Sequence, residues 1–175
     1  MANIKAPLVL TLICAVSCGI LIWAYNTTYV DTTGVITDDL QTALSEIYGT
    51  GKEYVMHKNE DGTVVTHEGV LSVISSKAGG AMAFEIVADG YKKDGLHLLV
   101  GIENGEIAGI GVVEFGDTPG VGTKATDKAY LEKFKGLTSA DYSIDAVAGA
   151  TLSSNGVKNA VELALNTFQQ HYNSQ

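Results

Sequence analysis

The chain has 175 residues and a net charge of −9, which suits one modest domain plus a short appendage. All eleven basic residues are lysines, and the twenty acids all lie beyond residue 30. Such a surface offers no basic footprint for nucleic acid, and with no arginine there is no bidentate clamp for a phosphate. A phosphate held here needs backbone N–H groups, a lysine or a covalent bond.

The hydrophobic excess sits at the N-terminus. Leu8 to Ala24 contains no charged residue and the apolar run extends to Tyr25, close to the ~20 residues that a helix needs to cross a bilayer. Trp23 and Tyr25 stand at its far end, where amphipathic rings favour the headgroup layer. A cleaved signal peptide calls for a small-x-small site, which Trp23-Ala24-Tyr25-Asn26 does not supply. Ala15-Val16-Ser17-Cys18 loosely resembles a lipobox, but the apolar run continues past Cys18. Residues 1–29 therefore read as a retained transmembrane anchor and residues 30–175 as one domain. Lys5 precedes the span; Asp31, Asp38 and Asp39 follow it, and Lys52 is the first lysine beyond. Positive charge stays inside. The expectation is a single pass in the inner (cytoplasmic) membrane, with the N-terminus in the cytoplasm and the domain on the outer face. Both cysteines, Cys14 and Cys18, fall within the span, so the domain has no disulfide and no thiolate metal site.

Beyond the anchor, Thr37-Asp38-Asp39 reads as a helix start, with a capping hydroxyl and then two acids at the positive end of the dipole. Leu40, Ala43, Leu44 and Ile47 share one face, and Gly49 ends the element. Strands are expected at 54–57 and 63–67 around a turn at 59–62, then at 70–75 and 82–87. Leu96–Glu103 and Glu106–Phe115 are separated by Asn104-Gly105, a strong hairpin signal. Thr126 is the expected cap of a short helix through Phe134. A last helix is expected from about Ser154 to Tyr172, with Val157, Ala160, Val161, Ala164, Leu165 and Phe168 inward. The fold class is α+β: a single domain with a mostly antiparallel sheet behind an N-terminal transmembrane helix.

The stretch with chemical content is Asp145-Ala146-Val147-Ala148-Gly149-Ala150-Thr151-Leu152-Ser153-Ser154. Its small side chains let a ligand approach the backbone, and it feeds a helix whose first N–H groups lack internal partners. On the residues alone the favoured reading is a plain loop with Ser153 or Ser154 as N-cap, since caps are far commoner than phosphate sites. Thr118-Pro119-Gly120, in Asp117 to Gly122, likewise reads on its own as a β-turn with proline at the second position. His57, His67, His97 and His171 are dispersed, so no metal site is expected. No base stands near Thr151 to make it a hydrolytic nucleophile, and no catalytic residue is assigned.

Asp145-x-x-Ala148-Gly149-Ala150-Thr151 resembles the flavinylation motif of the FMN-binding domain family. That family includes the G-type component of the Rnf ferredoxin:NAD oxidoreductase and the C-type component of the sodium-pumping NADH:quinone reductase. The hairpin followed by Asp117-Thr118-Pro119-Gly120-Val121-Gly122 is similar to the family's strand pair and Glu-Thr-Pro-Gly-x-Gly, with Asp117 in place of glutamate. Ala148 stands where the family prefers serine or threonine. The single span, the turn and the threonine motif occur in the family's order, and the short chain suits the Rnf component better.

The resemblance implies FMN joined by a phosphoester to Thr151. Asp145, Gly149, Ala150, Thr118, Pro119, Gly120 and Gly122 would be the cofactor-binding residues. It implies an electron-transfer subunit of a membrane-bound, ion-translocating ferredoxin:NAD oxidoreductase, and not a stand-alone enzyme. Its partners would be the other membrane subunits of that complex and, during maturation, a flavin transferase. The alternatives are a membrane-anchored module that holds FMN non-covalently, a subunit of an NADH:quinone reductase, and, because of Ala148, a structural subunit with a degenerate site.

Overall fold

The computed structural model describes residues 5–28, 34–117, 119–120 and 122–172. Two units emerge, Met1–Thr32 and Thr33–Gln175. The first contains α1 (Lys5–Thr28). Its stretch Pro7–Thr28, 22 residues, is long and apolar enough to cross a membrane, at roughly 33 Å for 1.5 Å per residue. The hydroxyls of Thr11 and Thr27 turn back to donate to the carbonyls of Pro7 and Trp23, at 2.9 and 2.7 Å. A polar side chain that bonds its own helix in this way leaves no bare donor to lipid. This helix has the length and composition of a single-pass anchor or a signal sequence.

The second unit is built on a sheet of five strands in the order β1-β2-β3-β4-β5, each antiparallel to its neighbours. They are β1 (Tyr54–Met56), β2 (Val70–Ser76), β3 (Ala81–Ala88), β4 (Leu96–Glu103) and β5 (Glu106–Phe115). The expected β4–β5 hairpin is present with its bounds unchanged. Asn104 and Gly105 carry φ of +53° and +82°, the left-handed pair that a tight right-twisted hairpin requires. The expected strand at 63–67 is not formed. That segment makes isolated bridges, Lys58 with Val64 and His67 with Val70. Its place beside β1 is taken by β2, whose longer apolar run buries more surface.

Helix α2 (Asp38–Tyr48) covers one face of the sheet. The Thr37 side chain accepts from Leu40 N, and Gly49 follows the last turn at φ +83°. Leu40, Ala43 and Leu44 pack on Met56, Ile74, Ala83 and Leu99. The helix lies close because β5 carries a glycine beneath it: a Cβ on Gly111 would come within 2.8 Å of that of Ala43. The other face holds α4 (Thr151–His171), whose Val157, Ala160, Val161, Ala164 and Leu165 are buried against Phe84, Leu98, Val100 and Ile102. After a 3-10 turn (Gly122–Ala125), α3 (Lys128–Leu131) and a second 3-10 turn (Glu132–Phe134) stand where one helix from Thr126 through Phe134 was expected. Asp127 is the N-cap of α3; the Thr126 hydroxyl is spent on the carbonyl of Thr123 at 3.0 Å.

Histidines collect where α4 ends. His67 stacks on His171 with ring centroids 4.3 Å apart and shares a 2.9 Å hydrogen bond with the Tyr172 hydroxyl. His57 meets the edge of the same tyrosine. Burial holds His57 below the ordinary histidine pKa; burial and then the charge of His171 do the same for His67. Folding thus favours the neutral rings. Their contribution to stability is complete above the unfolded pKa of about 6.5 and is lost as pH falls from there toward the lowered folded values. The urea midpoint should decline between about pH 7 and 5.5, and His67→Asn should flatten that decline. A midpoint that stays level over this range would contradict the assignment.

Candidate functional site

The last helix begins at Thr151, earlier than the expected Ser154, and its N-cap is Ala150, which has no side chain to cap with. Ser153 and Ser154 are therefore inside the first turn, 1% and 0% exposed, and their hydroxyls bond to groups outside the helix. Ser154 Oγ accepts from Val147 N at 3.0 Å. Val147 O in turn accepts from Ala150 N at 2.9 Å, closing a turn in which Gly149 sits at φ +79°. That left-handed position is open to glycine at no steric cost. Asp145, in the extended segment before this turn, is exposed, as are Ala148, Gly149 and Thr151, while Ala146 and Val147 are half-buried.

The Thr151 hydroxyl thus stands on the surface at the first helical position. The first helix-closing bond is Ser154 N to Ala150 O, so the N–H groups of Thr151, Leu152 and Ser153 precede any acceptor within the helix. No acid lies in this first turn. Oriented N–H groups, the positive end of a 21-residue helix and an accessible hydroxyl make a seat for a phosphate esterified at that hydroxyl. The residues present fit the group.

Asp117 ties this seat to the rest of the domain. Its side chain is 4% exposed. Oδ2 accepts from Tyr91 N at 3.0 Å and from the Ser153 hydroxyl at 2.5 Å, and Oδ1 accepts from Lys92 N at 3.1 Å. Three separate segments, the 89–95 loop, the turn after β5 and the start of α4, meet on one side chain. The carboxylate is closely walled: a Cβ on Gly90 or on Gly122 would lie 2.3 Å from Oδ2. At Gly122 the same Cβ would be 2.9 Å from Ser153 Oγ.

Of the residues expected at the site, Gly122 is brought against the first turn of α4, with Gly149, Ala150 and Thr151 leading into that turn. Pro119 and Gly120 form an exposed turn; Gly120 has φ +79° and open space beside it, and its N–H donates to Thr123 Oγ1 at 3.0 Å. Thr118 lies outside the described residues. On sequence grounds Ser153 is only a candidate cap, Asp117 only a member of the turn motif, and Lys124 has no role. For Asp117 a signal existed: an isolated acid just before Thr118-Pro119-Gly120, at the end of an apolar strand. For Ser153, the wrong helix start turned a buried hydrogen-bonding residue into a supposed cap.

Two comparisons bear on this geometry. Residues 90–166 match the family model described as FMN-binding domain. The matched segment runs from the Tyr91 loop through β4, β5 and the Asp117 turn to most of α4, so it contains every residue of the seat. The chain is also 32% identical over 109 residues to the G-type component of the ion-translocating oxidoreductase complex of Shewanella piezotolerans (strain WP3 / JCM 13877). That alignment covers 53% of this chain and 51% of the relative, so the chain spans about half the length of the curated protein it matches.

Proposed function

Given that the chain carries an FMN-binding domain and is a distant homologue of the G-type component of an ion-translocating oxidoreductase complex, we propose that it is a membrane-anchored electron carrier with FMN esterified to Thr151. The observation that carries this reading is the placement of one exposed hydroxyl at the first position of α4, beside open N–H groups and a left-handed glycine. In the transferase step, Thr151 Oγ1 bonds to the flavin-side phosphorus of a flavin dinucleotide donor as that phosphorus's P–O bond in the pyrophosphate breaks; the nucleoside monophosphate leaves, the hydroxyl proton goes to solvent, and no oxidation state changes. FMN, when bound, accepts and returns one or two electrons. The protein's part is to hold and orient it: Thr151 as the tether, the α4 N–H groups facing the phosphate, and the Asp117–Ser153 bond fixing both to the Pro119-Gly120 turn. Asp145, Gly149 and Ala150 shape the loop that a flavin transferase reads.

The partners in this reading are the other membrane subunits of a ferredoxin:NAD oxidoreductase complex. Expression of the full chain with a flavin transferase should add the mass of one FMN less one water, and the flavin should remain fluorescent on a denaturing gel. A protein that co-purifies with flavin but loses it on denaturation holds FMN non-covalently, and the ester reading falls.

The anchor and orientation form a second part of the proposal. Lys5 before the span and acids after it favour a domain on the outer face of the cytoplasmic membrane. Glu60 is exposed in the turn following β1, and the native cysteines lie inside α1. Glu60→Cys in spheroplasts should react with a membrane-impermeant maleimide while the wild type does not. Labelling only after lysis would reverse the orientation.

A further inference from the structure

Esterified FMN keeps one negative charge on its phosphate, and this chain has no arginine to meet it. A permanently charged side chain facing it can only be a lysine. Lys124 lies in the 3-10 turn Gly122–Ala125. Its Nζ lies 3.8 Å from where a Cβ on Gly149 would stand, over the turn that leads two residues later into Thr151. Lys124 is exposed and makes no ion pair among the described residues, unlike Lys52 and Lys77, which are engaged with Glu103 and Glu53. The next lysine along α4, Lys158, is seven residues beyond Thr151, about 10 Å up the helix at 1.5 Å per residue.

The backbone under Lys124 is fixed relative to the start of α4. Gly122 packs on Asp117 and Ser153, the Asp117–Ser153 hydrogen bond joins the two segments, and Thr123 is held by Gly120 N and the Thr126 hydroxyl. A flexible ammonium on a fixed base, reaching toward a phosphate as a point charge, is the role lysine performs where arginine is absent. We propose that Lys124 is the counter-ion of the FMN phosphate at Thr151, a positioning residue for the cofactor's anchor. The inference rests on the reading that Thr151 carries the ester.

The test uses the full chain co-expressed with a flavin transferase, as wild type, Lys124→Gln, Lys124→Arg and the remote control Lys77→Gln. Intact mass and circular dichroism report loading and folding. The phosphorus-31 resonance of the intact holoprotein, referenced to the same protein denatured, reports the phosphate's surroundings. In the wild type this resonance should be displaced from the denatured position. Lys124→Gln should lose most of that displacement, and Lys124→Arg and Lys77→Gln should keep it. A folded Lys124→Gln that takes up no FMN, while Lys124→Arg does, supports the same need for positive charge. An unchanged resonance in loaded Lys124→Gln overturns the proposal. So does a changed flavin midpoint potential with an unchanged resonance, since the ammonium would then face the ring, and so does failure of both Lys124 variants to load. A wild type that gains no mass overturns the Thr151 reading itself, and this inference with it.

Discussion

Thr151→Ala should abolish both the added FMN mass and the in-gel flavin fluorescence, leaving a protein that folds as before. The loss is complete because the ester oxygen is removed and no other exposed hydroxyl stands in the first turn: Ser153 and Ser154 are buried. The fold is spared because Thr151 is exposed at a helix end whose N-cap is already uncapped by any side chain, so the stability change should stay within about 0.5 kcal/mol. The serines are the controls, and they invert this pattern. Ser153→Ala breaks a hydrogen bond to a buried carboxylate and should cost about 1.5–3 kcal/mol. Ser154→Ala leaves Val147 N without its acceptor, at about 1 kcal/mol. Both should still carry some covalent flavin when folded, and their stability cost arises from tertiary hydrogen bonds and not from capping. Fluorescence that survives in Thr151→Ala places the ester elsewhere, and its loss in one serine variant alone would say where.

How much of this was visible beforehand depends on the range of the interactions. The β4–β5 hairpin was legible because Asn104-Gly105 sits between two apolar runs, a signal confined to a few residues. So were α2, from Thr37 to Gly49, and the inward face of α4, where the apolar residues recur at the helical period. The strand expected at 63–67 was lost to a competitor: β2 pairs with β1 and leaves that segment only isolated bridges. The start of α4 was misplaced because Ser153 and Ser154 look like caps. A hydroxyl can bond its own helix end or a partner far off in the chain, and local spacing does not distinguish them. Here the partner of Ser153 is Asp117, 36 residues away. Thr151 could be singled out only by resemblance, since a surface threonine at a helix start has no physical mark of its own. Lys124 is equally unmarked in sequence, its nearness to Gly149 being a product of the folded turn.

The same long-range bond sets up the second large effect. Replacing Asp117 by alanine strips acceptors from three donors at once, Tyr91 N, Lys92 N and the Ser153 hydroxyl. A buried donor left unmet costs about 1–3 kcal/mol, so the sum should reach about 3 kcal/mol or more. Asp117→Asn is the sharper probe. Each carboxylate oxygen already accepts a backbone N–H, so either orientation of the amide turns its NH2 toward another donor. Shape is kept and the three-way junction is broken. Because that junction holds the Pro119-Gly120 turn and the first turn of α4 together, Asp117→Asn should lose most of its covalent FMN while still unfolding cooperatively. General destabilisation is controlled by Leu99→Ala, a fully buried residue on the α2 face of the sheet, away from the junction. That change should cost about 2–5 kcal/mol. With both variants folded at low temperature, Leu99→Ala should load with FMN as the wild type does, and Asp117→Asn should not. Equal loading of the two would reduce Asp117 to a stabilising contact with no part in preparing the site.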